Sequence, residues 1–323
     1  MTSYSSAADD AAHNGPLFVV LNAGSGSSDA DQEQAVMARV FSEGGREVEF
    51  LQITNPADIS KIAAHAVELA KDRSGVVVAA GGDGTINAVA SAVLGSGCPF
   101  GVLPQGTFNY FGRAHAIPQN TEAAAIALLG ASISPVQVGL VNGRVFLVNA
   151  SLGLYPQLLE DREVWKQKLG RSRVVAFMSG LATLIQARSQ LNLQIERAGQ
   201  TATLHTTTLF VGNNGLQLER VGIDEKQVNA LRHGALAGIA VRSMGTLALF
   251  GLLVRGLLGR LGEAENVDSF SFRRLTVTPR RIKRIKVATD GEITWMQTPL
   301  VFEVAPEPLL LMVPAPADRA VIE

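Results

Sequence analysis

The residues of this chain best suited to chemistry stand together at Gly81-Gly82-Asp83-Gly84-Thr85. Missing Cβ atoms at the glycines permit positive φ and leave room for a ligand close to the main chain. Ahead of them Val76 to Ala80 form an apolar run bounded by Gly75 and Gly81, which reads as a strand buried on both faces. Behind them Thr85 opens a helical pattern through Ile86, Val89, Ala90, Val93 and Leu94. A strand, a glycine turn and a helix N-terminus aim unpaired N–H groups and a dipole at one point, and phosphate is the usual occupant of such a site. Asp83 is unfavourable beside an anion unless a metal ion or a substrate proton meets it, so the string favours a magnesium-nucleotide. It is not a Walker loop, since no Gly-Lys-Ser/Thr follows, and it lacks the Gly-x-Gly-x-x-Gly spacing of dinucleotide folds.

The surrounding elements repeat the same unit. Leu17 to Leu21 reads as a second buried strand, ending in Asn22-Ala23-Gly24-Ser25-Gly26-Ser27-Ser28 before a helix carrying Val36, Val40 and Phe41. In a parallel sheet such loops gather at the C-terminal strand edge, which predicts that this one lies beside the first. Arg46 to Gln52 alternates as a strand, and Thr54-Asn55-Pro56 follows with Asn55 as cap and Pro56 at the first helical position. Ile59, Ile62, Ala63, Ala66 and Ala70 supply the next helix face, and Phe100 to Leu103 another strand that runs into Pro104 to Phe111. Alternation up to about Leu129 predicts a doubly wound α/β domain.

Beyond Pro135 the texture changes to strand-like runs: Val136–Val141, Val145–Ala150, Leu191–Ala198, Thr203–Val211, Leu236–Val241, Phe270–Val277 and Ile282–Ala288, broken by two long helical stretches. That profile predicts a mainly antiparallel β domain. The expected division is a disordered tail over 1–15, an α/β domain over 16–134, a β-rich domain over 135–306 and a C-terminal segment over 307–323. Leu309 to Val313 either ends in the β domain or returns to the first sheet.

A chain of 323 residues with a formal charge of −1 has room for two cores and no general attraction to nucleic acid. The single cysteine, Cys98, excludes a disulfide framework and suits a reducing cytosol. Met1 to Asn14 has neither a basic start nor an apolar h-region, and no run reaches the ~20 apolar residues of a membrane span. A soluble or peripheral protein is expected.

Four motifs in order make the chain resemble the diacylglycerol kinase catalytic family, in its bacterial lipid-kinase branch, similar in fold to the sphingosine and ceramide kinases. The family's Asn-Pro-x-Ser-Gly loop appears as Asn22-Ala23-Gly24-Ser25-Gly26, and Gly81 to Thr85 is its Gly-Gly-Asp-Gly-Thr loop. Its Leu-Pro-x-Gly-Thr-x-Asn stretch is Leu103 to Asn109, and its late Asp-Gly-Glu is Asp290-Gly291-Glu292. The resemblance implies an NAD-kinase-like α/β domain and an antiparallel β-sandwich-like domain, with ATP in the cleft between them. It further implies phosphorylation of a lipid hydroxyl, with Mg²⁺ travelling on the ATP. Carried over by position, the ATP contacts are Asn22, Ala23, Gly24, Ser25, Gly26, Thr54, Gly81, Gly82, Asp83, Gly84, Thr85, Ile86, Asn87, Thr107 and Glu292. Asp290 matches the proposed general base, and Asp83 is a second candidate for that role or for positioning Mg²⁺. Phosphoryl transfer needs chiefly positioning, charge neutralisation and one group to take the hydroxyl proton.

Two positions depart from the family pattern. Tyr110 stands where many relatives carry an Asp, and Arg232-His233-Gly234-Ala235 replaces an Asp-Gly-x-Leu at a structural magnesium site, where a neutral His does not replace a carboxylate. The lipid, diacylglycerol-type or ceramide/sphingoid-type, is left open, as is any resident metal ligand. Competing readings are an NAD kinase-like small-molecule kinase and a non-catalytic nucleotide- or lipid-binding relative. The nearly all-apolar Met244 to Leu261 reads as a helix packed on the β domain or as a membrane-contacting one. Within Arg273 to Lys286 the one basic cluster reads as a solvated strand face or as a site for anionic lipid. A cytoplasmic location at the inner membrane face follows from the resemblance.

Overall fold

The computed structural model describes residues 6–22, 27–153, 156, 191–220, 222–242, 251, 255 and 264–320. The chain forms two compact units, Met1–Val138 with Pro306–Glu323, and Gly139–Ala305.

The first unit is built on a six-stranded sheet. Its strands are β1 (Leu17–Asn22), β2 (Val48–Ile53), β3 (Val76–Gly81), β4 (Phe100–Pro104), β5 (Ser132–Val136) and the last strand of the chain, β17 (Leu309–Val313). The order is β2-β1-β3-β4-β17-β5, parallel except where β5 runs antiparallel to β17. β1 as far as Leu21 and the whole of β3 are apolar, as suits a parallel sheet covered on both faces, and every residue of Leu17–Leu21 and Val76–Gly81 is buried. The crossovers are α2 (Ser27–Glu43), α3 (Ile59–Asp72), α4 (Asp83–Val93), the short α5 (Tyr110–Ala114) and α6 (Thr121–Leu129). Asn55 caps the 3-10 turn before α3 by accepting from the Ala57 N–H at 3.1 Å.

The segment expected as a disordered tail is in part ordered: Ser6–Asn14 forms helix α1. Ala8, Ala11 and Ala12 bury its inner face. Arg46, expected to begin a strand, is itself buried, and its guanidinium donates to the carbonyls of Ala11, Ala12, His13 and Gly15. A cation bonded to the last carbonyls of a helix satisfies orphan acceptors and meets the negative end of the dipole.

The second unit is one eleven-stranded antiparallel sheet folded on itself. In chain order it has β6 (Gly139–Val141), β7 (Arg144–Phe146), β8 (Asn149–Gly153), β9 (Leu191–Arg197), β10 (Gln200–Gly212), β11 (Leu236–Arg242), β12 (Val267–Phe272), β13 (Arg274–Pro279), β14 (Arg284–Thr289), β15 (Glu292–Gln297) and β16 (Leu300–Val304). The long β10 pairs with β9 along one half and with β8 and β11 along the other, and a bulge at Thr206–Thr208 separates the halves. Thr206 Oγ1 pins the bulge: it accepts from the Thr208 N–H at 3.2 Å, and its single hydroxyl proton lies between the Thr208 and Val241 carbonyls. A bulge bends its strand, so one strand serves two layers whose inner faces share Phe146, Leu152, Leu193, Val211, Val277 and Phe302. The run read as a single strand over Phe270–Val277 is two, β12 and β13, and Asn213-Asn214-Gly215 leads from β10 into a short helix. There Asn214 Oδ1 accepts from the Gln217 N–H at the start of α7 (Gly215–Arg220), which is followed by α8 (Glu225–Arg232). Met244 to Leu261 lies, apart from Gly251 and Arg255, outside the described residues. No described helix is long and apolar enough to cross a membrane.

Candidate active site

The sheet of the first unit reverses its winding between β1 and β3, since β2 lies on one side of β1 and β4 on the far side of β3. A crevice opens at such a switch point, outside the carboxyl ends of the strands. Asn22 ends β1 there and donates from Nδ2 to Thr85 Oγ1 at 3.2 Å, which ties the first loop to the start of α4. Ile53 registers with Asn22, so Thr54 follows at the same edge, exposed. Ala23, Gly24, Ser25 and Gly26 lie outside the described residues.

The glycines of the central loop provide space and not unusual torsions. Gly82 is the N-cap of α4 with φ −82° and ψ −178°, an extended conformation open to any residue, and Gly81 and Gly84 are likewise absent from the positive-φ positions. A Cβ on Gly81 would stand 2.7 Å from the Thr85 side chain. A Cβ on Gly106, in the loop after β4, would stand 2.8 Å from Gly82 Cα and 2.6 Å from Asn109 Oδ1. The two loops therefore touch backbone to backbone, and the Gln105 N–H to Gly81 carbonyl bond of 2.9 Å joins them.

Asn109 locks the second loop. Its φ of 49° is left-handed, its Oδ1 accepts from the Gly106 N–H at 2.9 Å, and its Nδ2 donates to the Gly106 carbonyl at 2.8 Å and to Gln119 Oε1 at 2.9 Å. Asp83 completes the lock, its Oδ2 accepting from the Asn109 N–H at 3.0 Å. Burial pushes the Asp83 carboxyl above its ordinary range, opposed by the amides of Asn109, Tyr110 and Phe111 and by the charge of Arg113. Asp83 thus helps to hold the N-terminus of α5, while its Oδ1 is buried without a hydrogen-bond partner. Gln119 escaped the sequence reading because nothing in its local pattern points back to Asn109.

The other nucleotide candidates of this unit divide by exposure. Thr107 is exposed beside Gly106, and Asn87 is half-buried on the first turn of α4. Ile86 turns its side chain into the core and commits its N–H to the Gly82 carbonyl at 3.0 Å.

In the second unit the turn between β14 and β15 carries Asp290 and Glu292, and their carboxylates differ sharply. Asp290, at φ 48°, accepts from the Leu147 N–H through Oδ2 at 2.7 Å and from the Val148 and Asn149 N–H groups through Oδ1, each at 2.9 Å. These bonds fasten the turn to the β7–β8 corner, one on Oδ2 and two on Oδ1. Glu292 is exposed and ion-paired with Arg144, Oε2 to Nη2 at 2.9 Å, a partner that the motif does not reveal. His233 closes α8, its Nδ1 lying 2.8 Å from the Asn229 carbonyl. Among the described residues no group of three or more His, Cys, Asp or Glu side chains is placed to hold a metal.

Residues 16–141, which carry both glycine loops and β1 to β6, match the diacylglycerol kinase catalytic domain. This segment belongs to that family. A "Diacylglycerol kinase" of Bacillus subtilis is 31% identical over 186 residues, 56% of this chain and 59% of the relative. A "Probable lipid kinase YegS-like" of Pseudomonas aeruginosa is 35% identical over 130 residues, 40% of this chain and 42% of the relative. The matched stretches thus span about half the length of these two relatives. The fold extends the likeness: a crystal structure of a "putative diacylglycerol kinase" from Bacillus anthracis superposes with a TM-score of 0.70 at 21% identity, over 94% of this chain and 98% of that one. The matched segment is thus a kinase catalytic domain by family, and its Gly-Gly-Asp-Gly-Thr loop is the start of α4 at the crevice of the first unit.

Proposed function

We propose that the protein transfers the γ-phosphoryl group of ATP to the hydroxyl of a diacylglycerol-type lipid. The observation that carries the reading is the contact of the Gly82 and Gly106 backbones at the β1/β3 switch point, where a free helix N-terminus faces the crevice. The backbone N–H groups of Asp83, Gly84 and Thr85 precede the first intrahelical bond of α4 and are the donors for the phosphates. Asn22 orients the Thr85 hydroxyl from the facing loop. The buried, unpartnered Asp83 Oδ1 fits a magnesium ion carried on the nucleotide, which would supply charge neutralisation there.

The proton of the acceptor hydroxyl is assigned to Glu292 in place of Asp290. Both Asp290 oxygens already accept from backbone amides, whereas Glu292 presents an exposed carboxylate steadied by Arg144. Asp290 is a positioning residue in this reading, fixing the turn that carries Glu292.

Diacylglycerol is preferred to ceramide or a sphingoid base on the names of the relatives alone. The test is an ATP-dependent phosphorylation assay on detergent-dispersed diacylglycerol, ceramide, sphingosine and NAD, with Gly82→Asp as control. The new carboxylate would take the phosphates' space and repel them, so ATP affinity by calorimetry should vanish in a folded protein. Turnover of NAD alone, or undiminished ATP binding by Gly82→Asp, refutes the reading.

A further inference from the structure

We infer that the open end of the β14–β15 hairpin is a docking surface for an anionic membrane, with Trp295 as its interfacial anchor. The inference rests on the lipid-kinase reading only for its purpose, since the surface itself is argued from the second unit. Arg284 and Lys286 lie on β14, and Lys286 registers with Trp295 on β15. The indole is 55% exposed, with the Arg284 guanidinium carbon 5.9 Å and the Lys286 Nζ 5.3 Å from its ring centroid. Arg280, Arg281 and Lys283 continue the charge into the preceding turn, around an Ile282 that is itself 37% exposed.

Charge complementarity selects the occupant. Arg280, Arg281, Lys283 and Arg284 are exposed and form no ion pair with any described residue, which leaves four like charges for an external anion to meet. The hairpin's own acids sit at its other end and are engaged, Asp290 by three amides and Glu292 by Arg144. Trp295 and Ile282 are two of the four exposed large hydrophobic side chains among the described residues. Nucleic acid would match the charge but gives an exposed Ile no apolar partner, whereas a bilayer interface accepts the cations at its headgroups and an amphipathic indole beneath them.

The experiment is sedimentation of the full chain, without ATP, with phosphatidylglycerol-phosphatidylcholine vesicles and with pure phosphatidylcholine. It is paired with Trp295 fluorescence after Trp165, the other tryptophan, is changed to Phe. Binding should require the anionic lipid, weaken with salt and shift the Trp295 emission to the blue. At about 1 kcal/mol per cation, replacing Arg280, Arg281, Lys283 and Arg284 by Gln should weaken binding roughly five-fold for each. Trp295→Ala should cost roughly ten-fold more, from loss of apolar area. Both variants should keep the parental thermal midpoint and parental turnover of detergent-dispersed lipid. Parental vesicle affinity in both variants, equal binding to neutral vesicles, or tighter binding of the parent to duplex DNA overturns the inference. Failure here with turnover intact leaves the kinase reading standing; vesicle binding without turnover of any lipid does the reverse.

Discussion

Asp290→Asn and Glu292→Gln separate the two carboxylates of one turn. Asn keeps an oxygen that can accept from Val148 and Asn149, but it presents an NH₂ group to the Leu147 N–H, now 2.7 Å from Oδ2. The loss is one charge-assisted bond plus an opposed donor pair, about 2–4 kcal/mol when hydrogen bonds to charged groups contribute ~1.5–3. Backbone strain adds nothing, because Asn tolerates the left-handed φ of 48° at this position. For a domain of about 150–250 residues, that loss lowers Tm by roughly 5–15 °C. Glu292→Gln removes only an exposed ion pair with Arg144, worth about 0–1 kcal/mol, and should leave Tm near parental. Its kcat should fall ~10²–10⁴-fold, as for loss of a general base, with ATP affinity unchanged. Differential scanning fluorimetry and initial rates on dispersed lipid read both quantities. An Asp290→Asn protein with parental Tm and abolished turnover, beside a Glu292→Gln protein with parental kcat, would refute the assignment.

Gly106→Ala should separate the two glycine loops, costing about 1–3 kcal/mol and most of the ATP affinity, because its Cβ would lie 2.8 Å from Gly82 Cα. Gly82→Ala, whose Cβ meets nothing nearer than 3.4 Å, should keep parental Tm, and equal Tm losses in the two would contradict the packing. Arg46→Met strips the carbonyl bonds that hold α1, so hydrogen exchange over Ser6–Asn14 should accelerate on the order of 10²-fold, taking about 3 kcal/mol for the lost bonds. Burial lowers the His115 pKa to about 4 from 6.5, so the unfolded chain binds a proton that the folded one refuses between those values. Stability should therefore fall as pH drops from 6.5 towards 4, and urea midpoints at pH 7 and pH 5 should differ less in His115→Gln than in the parent.

The repeated strand, loop and helix of the first unit were legible in the sequence because both periodicities are local: buried β1 and β3 read as unbroken apolar runs, and α4 announces itself in the spacing of Ile86, Val89 and Val93. The glycine loop was legible for a similar reason, although the close approach of Gly106 to Gly82 Cα is a contact that no local pattern contains. What α1 does depends on Arg46, more than thirty residues away, which local pattern placed only at the start of a strand. The length of β10 and its bulge depend on Thr206 finding the Val241 carbonyl on a neighbouring strand. The carboxylates show the limit most plainly. Asp83, Asp290 and Glu292 are chemically alike in a sequence, and each acquires its part from the donors that the fold brings to it: the amide of Asn109, the corner at Leu147 to Asn149, the guanidinium of Arg144. Residue type and spacing determine what a side chain can do; long-range packing decides which lone pairs remain open to do it.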